Sequence, residues 1–575
     1  MIKVRVFILL FLIAGGSLFA QEKKSKADNY FYAYAYIDAI TEYQKEMQDA
    51  PLTNAQRLNL ADAYFQTGNF KGASKIYLDI FSNDTIIKSH RFNKMLQSLS
   101  KTSQNDSVRS LLDAKSNLLS NELIENANFN YELLENKVER GSEFQIFNIN
   151  GNSAQADFSP TFFKEKLLFS SARGHKSKEI YGPSGEAYLD IYVARIGGDG
   201  DIVNPNLFDI IPPSDFHKST PNYSESLNRI FYILSNTEDD ELLFDENGKN
   251  SLAIGTSRNS SAVQKSFNYL LKDLSTSFYY PFYQESTGKL YFAANFEDSY
   301  GGTDIYFVYT NNAQIMSEPI NVGPRVNSPG NEIAPFIFEN NLYFSSDVFY
   351  GLGGMDIYKS TIETDESFSI PINLGGSINS TYDDFGFVIK TEATNGFLGY
   401  FASNRPGGKG KDDIYGFRVS ELPGLKTLVI RGAVAKPRTD LGIAEASVQI
   451  LDSEGNLLKE IDTDVNGQYR LEIPWRDEVI LTATKENHSI YSKSFDKDEL
   501  EKIAGTSFPI EMVVLEDIVV NKEEKNVLKL NDFLFEKDKS EITAEIAIEL
   551  DKVVAAIRKF PQMQLSIESH TDSRG

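Results

Sequence analysis

A tripeptide, Asp-Ile-Tyr, begins at Asp190, Asp304, Asp356 and Asp413, and an alternating apolar strand with small residues precedes each copy: LLFSSAR, LYFAANF, LYFSSDV and GYFASNR. Glycine-rich turns stand before the last three copies. The copies are 114, 52 and 57 residues apart, so one repeat has lost its tripeptide. It survives as TPNYSESLNRIFYILSN, whose Pro221 and strand from Ile230 match Pro281 with KLYFAAN and Pro335 with NLYFSSD. A second phrase, PINVGPRVNSPGNEIAPF from Pro319, returns 52 residues later as PINLGGSINSTYDDFGF. A unit of roughly 50 to 60 residues built of short strands cannot bury its own faces, whereas radial repetition covers them and leaves only short edges. The pattern therefore predicts a β-propeller over 140–420. Five blades are expected, or six if FQIFNINGN near Phe144 forms another.

These repeats resemble the TolB-type propellers, and three flanking segments carry resemblances of their own. Laid over itself at a period of 34, residues 27–80 place Ala27, Tyr30, Tyr36, Ala39 and Tyr43 on Ala61, Tyr64, Phe70, Ala73 and Tyr77. Small residues recur where helices approach closely, and aromatics recur beside them. The spacing resembles the tetratricopeptide repeat, with turn glycine Gly68 in the second copy and Tyr34 at its place in the first. Helical repeats are expected over 27–125. After the propeller, strands around Val448 and Ile450 turn at Glu454-Gly455 and Asn466-Gly467. The phrase TDVNGQYRL resembles the carboxypeptidase regulatory-like domain, which implies a small β-sandwich over 425–515.

From 522 a charged linker runs into a strand, and SEITAEIAIELDKVVAAIRKF places Ile542, Ile546, Leu550, Val553, Val554 and Ile557 at helical spacing. The strand in PQMQLSIESHTDSRG follows. Strand, helix, strand, with Pro561 after the helix and SHTDSRG against the family's Gly-His-Thr-Asp-x-x-Gly, resembles the first half of the OmpA-like peptidoglycan-binding domain. Ser569 replaces the usual glycine. The expected fold class is thus multidomain: an α-helical repeat, a β-propeller, a small β-sandwich and a partial α/β OmpA-like domain over 522–575, where the chain reads as ending inside a domain. This resemblance implies peptidoglycan binding through Asp572, with Thr571 beside it, because an aspartate at this place faces the ammonium group of the wall peptide. A plain turn role, capping the following residues, is the structural alternative for Asp572.

Composition narrows the classes. A net charge of −24 repels phosphate backbones, so no nucleic-acid partner is expected. With no cysteine, disulfides, thiolate metal sites and a cysteine nucleophile are excluded. Lys3 and Arg5 ahead of the apolar run Val6–Ile13, then small residues and Ala20-Gln21, form the three parts of a signal peptide over 1–20. The run is shorter than the roughly 20 residues a bilayer needs. Export to the periplasm is expected, with association to the outer membrane and cell wall.

For catalysis the chain offers no Gly-x-Ser-x-Gly elbow. Its five histidines, His90, His175, His217, His488 and His570, are scattered. The repeated aspartates read as carboxylates bonded to backbone amides of neighbouring strands rather than as calcium ligands, which converge from one loop. No catalytic residue, metal or cofactor is expected. The order of segments resembles a periplasmic component of type IX secretion. It implies a non-catalytic scaffold whose partners are peptidoglycan and outer-membrane or secretion-system proteins. The alternative is a periplasmic sensor or binding protein whose propeller captures peptides or sugars.

Overall fold

The structure, a computed structural model, describes residues 25–565 apart from 84–86, 103, 115–118, 136–142, 175–179, 183, 240, 246–247, 261–264, 266, 393–395, 440, 523–524, 531–541 and 561–562. The chain divides into two compact units, Met1–Lys115 with Gly174–Tyr188, and Ser116–Arg173 with Leu189–Gly575.

In the first unit, the described residues form helices Lys26–Tyr32, Tyr36–Asp49, Asn54–Gln66, Phe70–Ser82, Ser89–Ser100 and Asn105–Ala114, and a short hairpin over 180–187. Ser25 and Thr53 start two of the helices with reciprocal capping boxes. The residues of the 34-residue period are the contact residues: Ala27, Ala39, Tyr43, Ala61, Ala73 and Tyr77 are all fully buried. The period also extends to a buried polar pair. Tyr43 donates to Asp28 Oδ1 and Tyr77 to Asp62 Oδ1, each at 2.5 Å. Tyr34 adopts φ 60° where its counterpart Gly68 adopts φ 76°, so both copies end their first helix in the left-handed region although only one has the residue suited to it.

In the second unit, five antiparallel sheets, four of four strands and the third of five, form a closed ring, a propeller-like fold. The innermost strands are Asp157–Phe163, Lys218–Ser224, Phe278–Gln284, Glu332–Phe338 and Asp384–Thr391. Each packs on the next, and the fifth packs on the first. The fifth sheet takes its outer strand, Gln145–Asn148, from the start of the ring, paired antiparallel to Asp413–Val419. The segment near Phe144 thus completes the fifth blade instead of forming a sixth. Interdigitated aromatics, among them Phe169, Tyr232, Phe292, Phe344 and Phe401 on the second strands, fill the blade interfaces.

Beyond the ring, Thr427–Ala435 pairs with Gln468–Pro474 and Ile510–Glu511, and a second sheet runs Leu457–Asp462, Ser447–Leu451, Val479–Thr484, Tyr491–Phe495. Alternate residues of Thr427–Ala435 are buried, as a half-buried strand requires. The two sheets share one core with Trp475 and Met512. Helix Asn121–Glu135 also belongs to this unit. Its Asn130 donates to Pro371 O and accepts from Asn373 N at 2.8 and 2.9 Å, and its Glu125 pairs with Arg325 and Lys459.

At the carboxyl end the described residues form a hairpin, Val519–Lys522 with Lys525–Leu528, and helix Ala544–Lys559. Ala555 and Ala556 of the helix pack on Leu515, Ile518 and Leu528, while Leu550, Val554 and Ile557 remain more than a third exposed. No helix among the described residues is long and apolar enough to cross a membrane.

Candidate functional site

The innermost strands share a defect at one place. In every blade the pairing slips so that two residues face one aromatic of the second strand: 159–160 opposite Phe169, 220–221 opposite Tyr232, 280–281 opposite Phe292, 334–335 opposite Phe344, and 386–387 opposite Phe401. These are β-bulges, in which the extra residue leaves the ladder. The first bulge residue is left-handed each time: Ser159, Thr220, Tyr280, Ala334 and Gly386 have φ of 53°, 46°, 48°, 54° and 69°. Only Gly386 adopts this without strain. In the first four blades the second residue is proline, which has no N–H to leave unpaired.

The bulges converge on the axis of the ring and line a cavity there with Thr161, Asn222, Phe282 and Phe336. Phe282 and Phe336 meet edge to face at 5.4 Å. Asn222 is committed to the scaffold, accepting from Tyr283 N at 2.9 Å. Thr220 also receives its backbone bond, from its N–H to Ser170 Oγ at 2.8 Å, but its buried hydroxyl has no partner among the described residues. The phenol of Tyr280 is pushed up by burial and by the nearby Asp412 carboxylate, so it keeps its proton. Strained backbone is thus clustered at one small axial cavity, as strain clusters at ligand clamps and switch regions. Hydroxyls beside aromatic edges suit a polar ligand with an apolar face.

The aspartates of the repeated tripeptide hold the blades together. Asp304 accepts from the amides of Tyr300 and Gly301 and from Asn321, Asp356 from Leu352, Gly353 and Asn373, and Asp413 from Lys409, Gly410 and Asn148. Asp190, which lacks the glycine turn, instead forms an ion pair with Lys218 at 2.9 Å. A second asparagine in each phrase brackets the tripeptide's isoleucine. Asn152, Asn327 and Asn379 each accept from the N–H and donate to the C=O of Ile414, Ile305 and Ile357 respectively. The following serine then binds the first acid of the next inner strand, Ser153 to Asp157, Ser328 to Glu332 and Ser380 to Asp384.

Thr571 and Asp572 lie outside the described residues, as do His570, His175 and the expected signal segment. His90 is in the helical unit, where burial lowers its pKa to about 4, His217 accepts from Leu189 N before the second blade, and His488 contacts Glu486 O in the following sheets. Among the described residues no three histidines and carboxylates are placed to hold a metal ion. Sequence reasoning used Pro221, Pro281 and Pro335 as markers of the repeat and missed the residues before them. The signal was present: a proline inside a strand marks a bulge or an edge.

No family model and no curated protein matches the chain. Solved structures do. An endo-arabinase from Bacteroides thetaiotaomicron is similar at 13% identity and a TM-score of 0.32, over 48% of this chain and 98% of that one. An α-L-arabinofuranosidase from Lactobacillus brevis is similar at 10% identity and a TM-score of 0.31, over 47% and 92%. A β-xylosidase/α-arabinofuranosidase from a compost metagenome is similar at 12% and 0.32, over 48% and 94%. These findings correct two expectations, that the chain is a non-catalytic scaffold between an outer-membrane assembly and the wall, and that it is not an enzyme. The solved proteins it resembles are glycoside hydrolases. At this level of similarity the likeness is one of fold and brings no reaction or substrate to this chain.

Proposed function

We propose that the chain is a periplasmic sensor or binding protein whose propeller captures a sugar or peptide at the axial cavity. One observation carries this reading: four non-glycine residues and one glycine are held left-handed at equivalent places around one cavity, beside the unpartnered Thr220 hydroxyl. Such strain costs on the order of 1–3 kcal/mol per residue, and a fold that needed only closure would relieve it with glycine at every blade. Peptidoglycan, through Thr571 and Asp572, remains a second partner proposal that rests on the resemblance of the last residues alone.

The test is a screen of the 575-residue chain against immobilised oligosaccharides and peptides, followed by calorimetry on whatever binds. Phe336→Ala and Thr220→Val should each weaken binding by tenfold or more while leaving the circular dichroism spectrum intact. A folded chain that retains no member of either library, or channel variants that bind as well as the parent, would overturn the reading.

A further inference from the structure

Away from the axis, between the second and third blades, a crevice opens to the surface. Arg229, Thr256, Asn268 and Tyr269 of the second blade line one side, and the turn Asn312-Ala313 with Gln314 of the third lines the other. Arg229 and Arg258 stand directly opposite each other on adjacent strands Arg229–Ser235 and Leu252–Arg258, so their side chains leave the sheet on the same face. Like charges in that position repel, and neither guanidinium has a carboxylate partner among the described residues. Burial together with the Arg258 charge lowers the pKa of Arg229, as expected of a cation without its counter-ion. The chain carries 81 acidic against 57 basic residues, so acids to pair with the arginines are abundant in the composition and absent from this place. The side-chain amides of Asn268, Asn312 and Gln314 make no hydrogen bond within the described structure.

We propose that this crevice is a binding site for an acidic glycan, with a sugar carboxylate between Arg229 and Arg258 and sugar hydroxyls on Asn268, Asn312 and Gln314. A guanidinium pair recognises a carboxylate through charge-assisted, forked hydrogen bonds. The amides pair with hydroxyls as both donors and acceptors. The site is separate from the axial cavity and does not depend on the function proposed for it.

Calorimetry of the full chain with trigalacturonate, with neutral galactotriose and with a tri-glutamate peptide tests the proposal. Trigalacturonate should bind at least tenfold more tightly than either of the others, and the binding should weaken as salt is raised. Arg229→Gln and Arg258→Gln should each lower that affinity about tenfold or more. Arg229→Lys should retain part of it. Because removing one of two repelling charges relieves the sheet, Arg258→Gln should unfold at the same or a higher temperature than the parent, which separates lost binding from lost folding. Equal binding of the neutral trisaccharide, tighter binding of the peptide, no binding of trigalacturonate, or arginine variants that bind it as the parent does would each overturn the proposal.

Discussion

Lys218 and Asp190 show what one buried pair does for a blade that lacks the turn its neighbours have. Both side chains are almost fully buried, 3% and 4% exposed, and the ammonium group also donates to Pro212 O at 3.1 Å. In the other clamped blades, backbone amides of a glycine turn neutralise the aspartate; here a lysine from the next inner strand takes that role across the blade junction. Breaking a buried pair leaves an uncompensated charge, at a cost of about 3–5 kcal/mol. Lys218→Met should therefore destabilise the ring by that order in urea unfolding. Adding Asp190→Leu should recover most of the loss, because two apolar residues of similar volume leave no charge behind. A double variant no more stable than Lys218→Met alone would show that the lysine acts through its bond to Pro212 instead.

The bulge and the clamp repeat at the level of the strand, and they differ in how plainly the sequence announces them. Asp304, Asp356 and Asp413 have the structural role expected of them, but their backbone donors are amides of the preceding glycine turn and not of neighbouring strands. The bulge could not be read from the sequence. Its signature is a backbone angle, and Ser, Thr, Tyr and Ala before the proline share no chemistry. The crevice arginines were also illegible, because 229 and 258 become neighbours only through the register of two strands. The clamp has a pH signature. Burial raises the pKa of Asp304 to about 6 against the opposing hydrogen bonds from Tyr300, Asn321 and Gly301. Glu332, fully buried in the next inner strand and bonded to Ser328 and Ser346, is also raised, first by burial and then by the Asp304 charge. A carboxyl whose folded pKa lies above its unfolded value of about 3.9 binds its proton more tightly when folded. Its contribution to stability is complete below about pH 4 and is lost as pH rises through 6. Asp304→Asn should accordingly flatten the stability curve between pH 4 and 6, measured as urea midpoints. An undiminished fall over that range in the variant would assign it to other groups.

For the whole molecule the decisive contact is closure. The strand Gln145–Asn148 pairs with Asp413–Val419 across some 265 residues of sequence, and Asn148 donates to Asp413 at 2.8 Å as Asn321 and Asn373 do to their own aspartates. FNINGNS therefore carries the same two asparagines and serine as the phrases at Asn321 and Asn373. What the sequence did not show was that it serves the last blade instead of starting a new one. Loops that long are costly to close, and an open ring would present Asp413–Val419 as an unprotected edge. Asn152 completes the closure, with bonds to both the N–H and the C=O of buried Ile414. Asn379 makes the same pair of bonds to Ile357, but within blades that are consecutive in the chain. Each variant, Asn152→Ala and Asn379→Ala, strands one buried backbone N–H, at about 1–3 kcal/mol, and leaves the carbonyl with its remaining bond, from Ile149 N to Ile414 O and from Leu374 N to Ile357 O. The consequences should differ in reach. Losing the Asn379 bonds should raise hydrogen exchange locally, at Ile357 and its ladder neighbours. Losing the Asn152 bonds should loosen the seam and raise exchange in both blades that meet there, Asp157–Phe163 as well as Asp413–Val419. Exchange confined to Ile414 in Asn152→Ala would mean that the inner strands hold the ring shut without this seam.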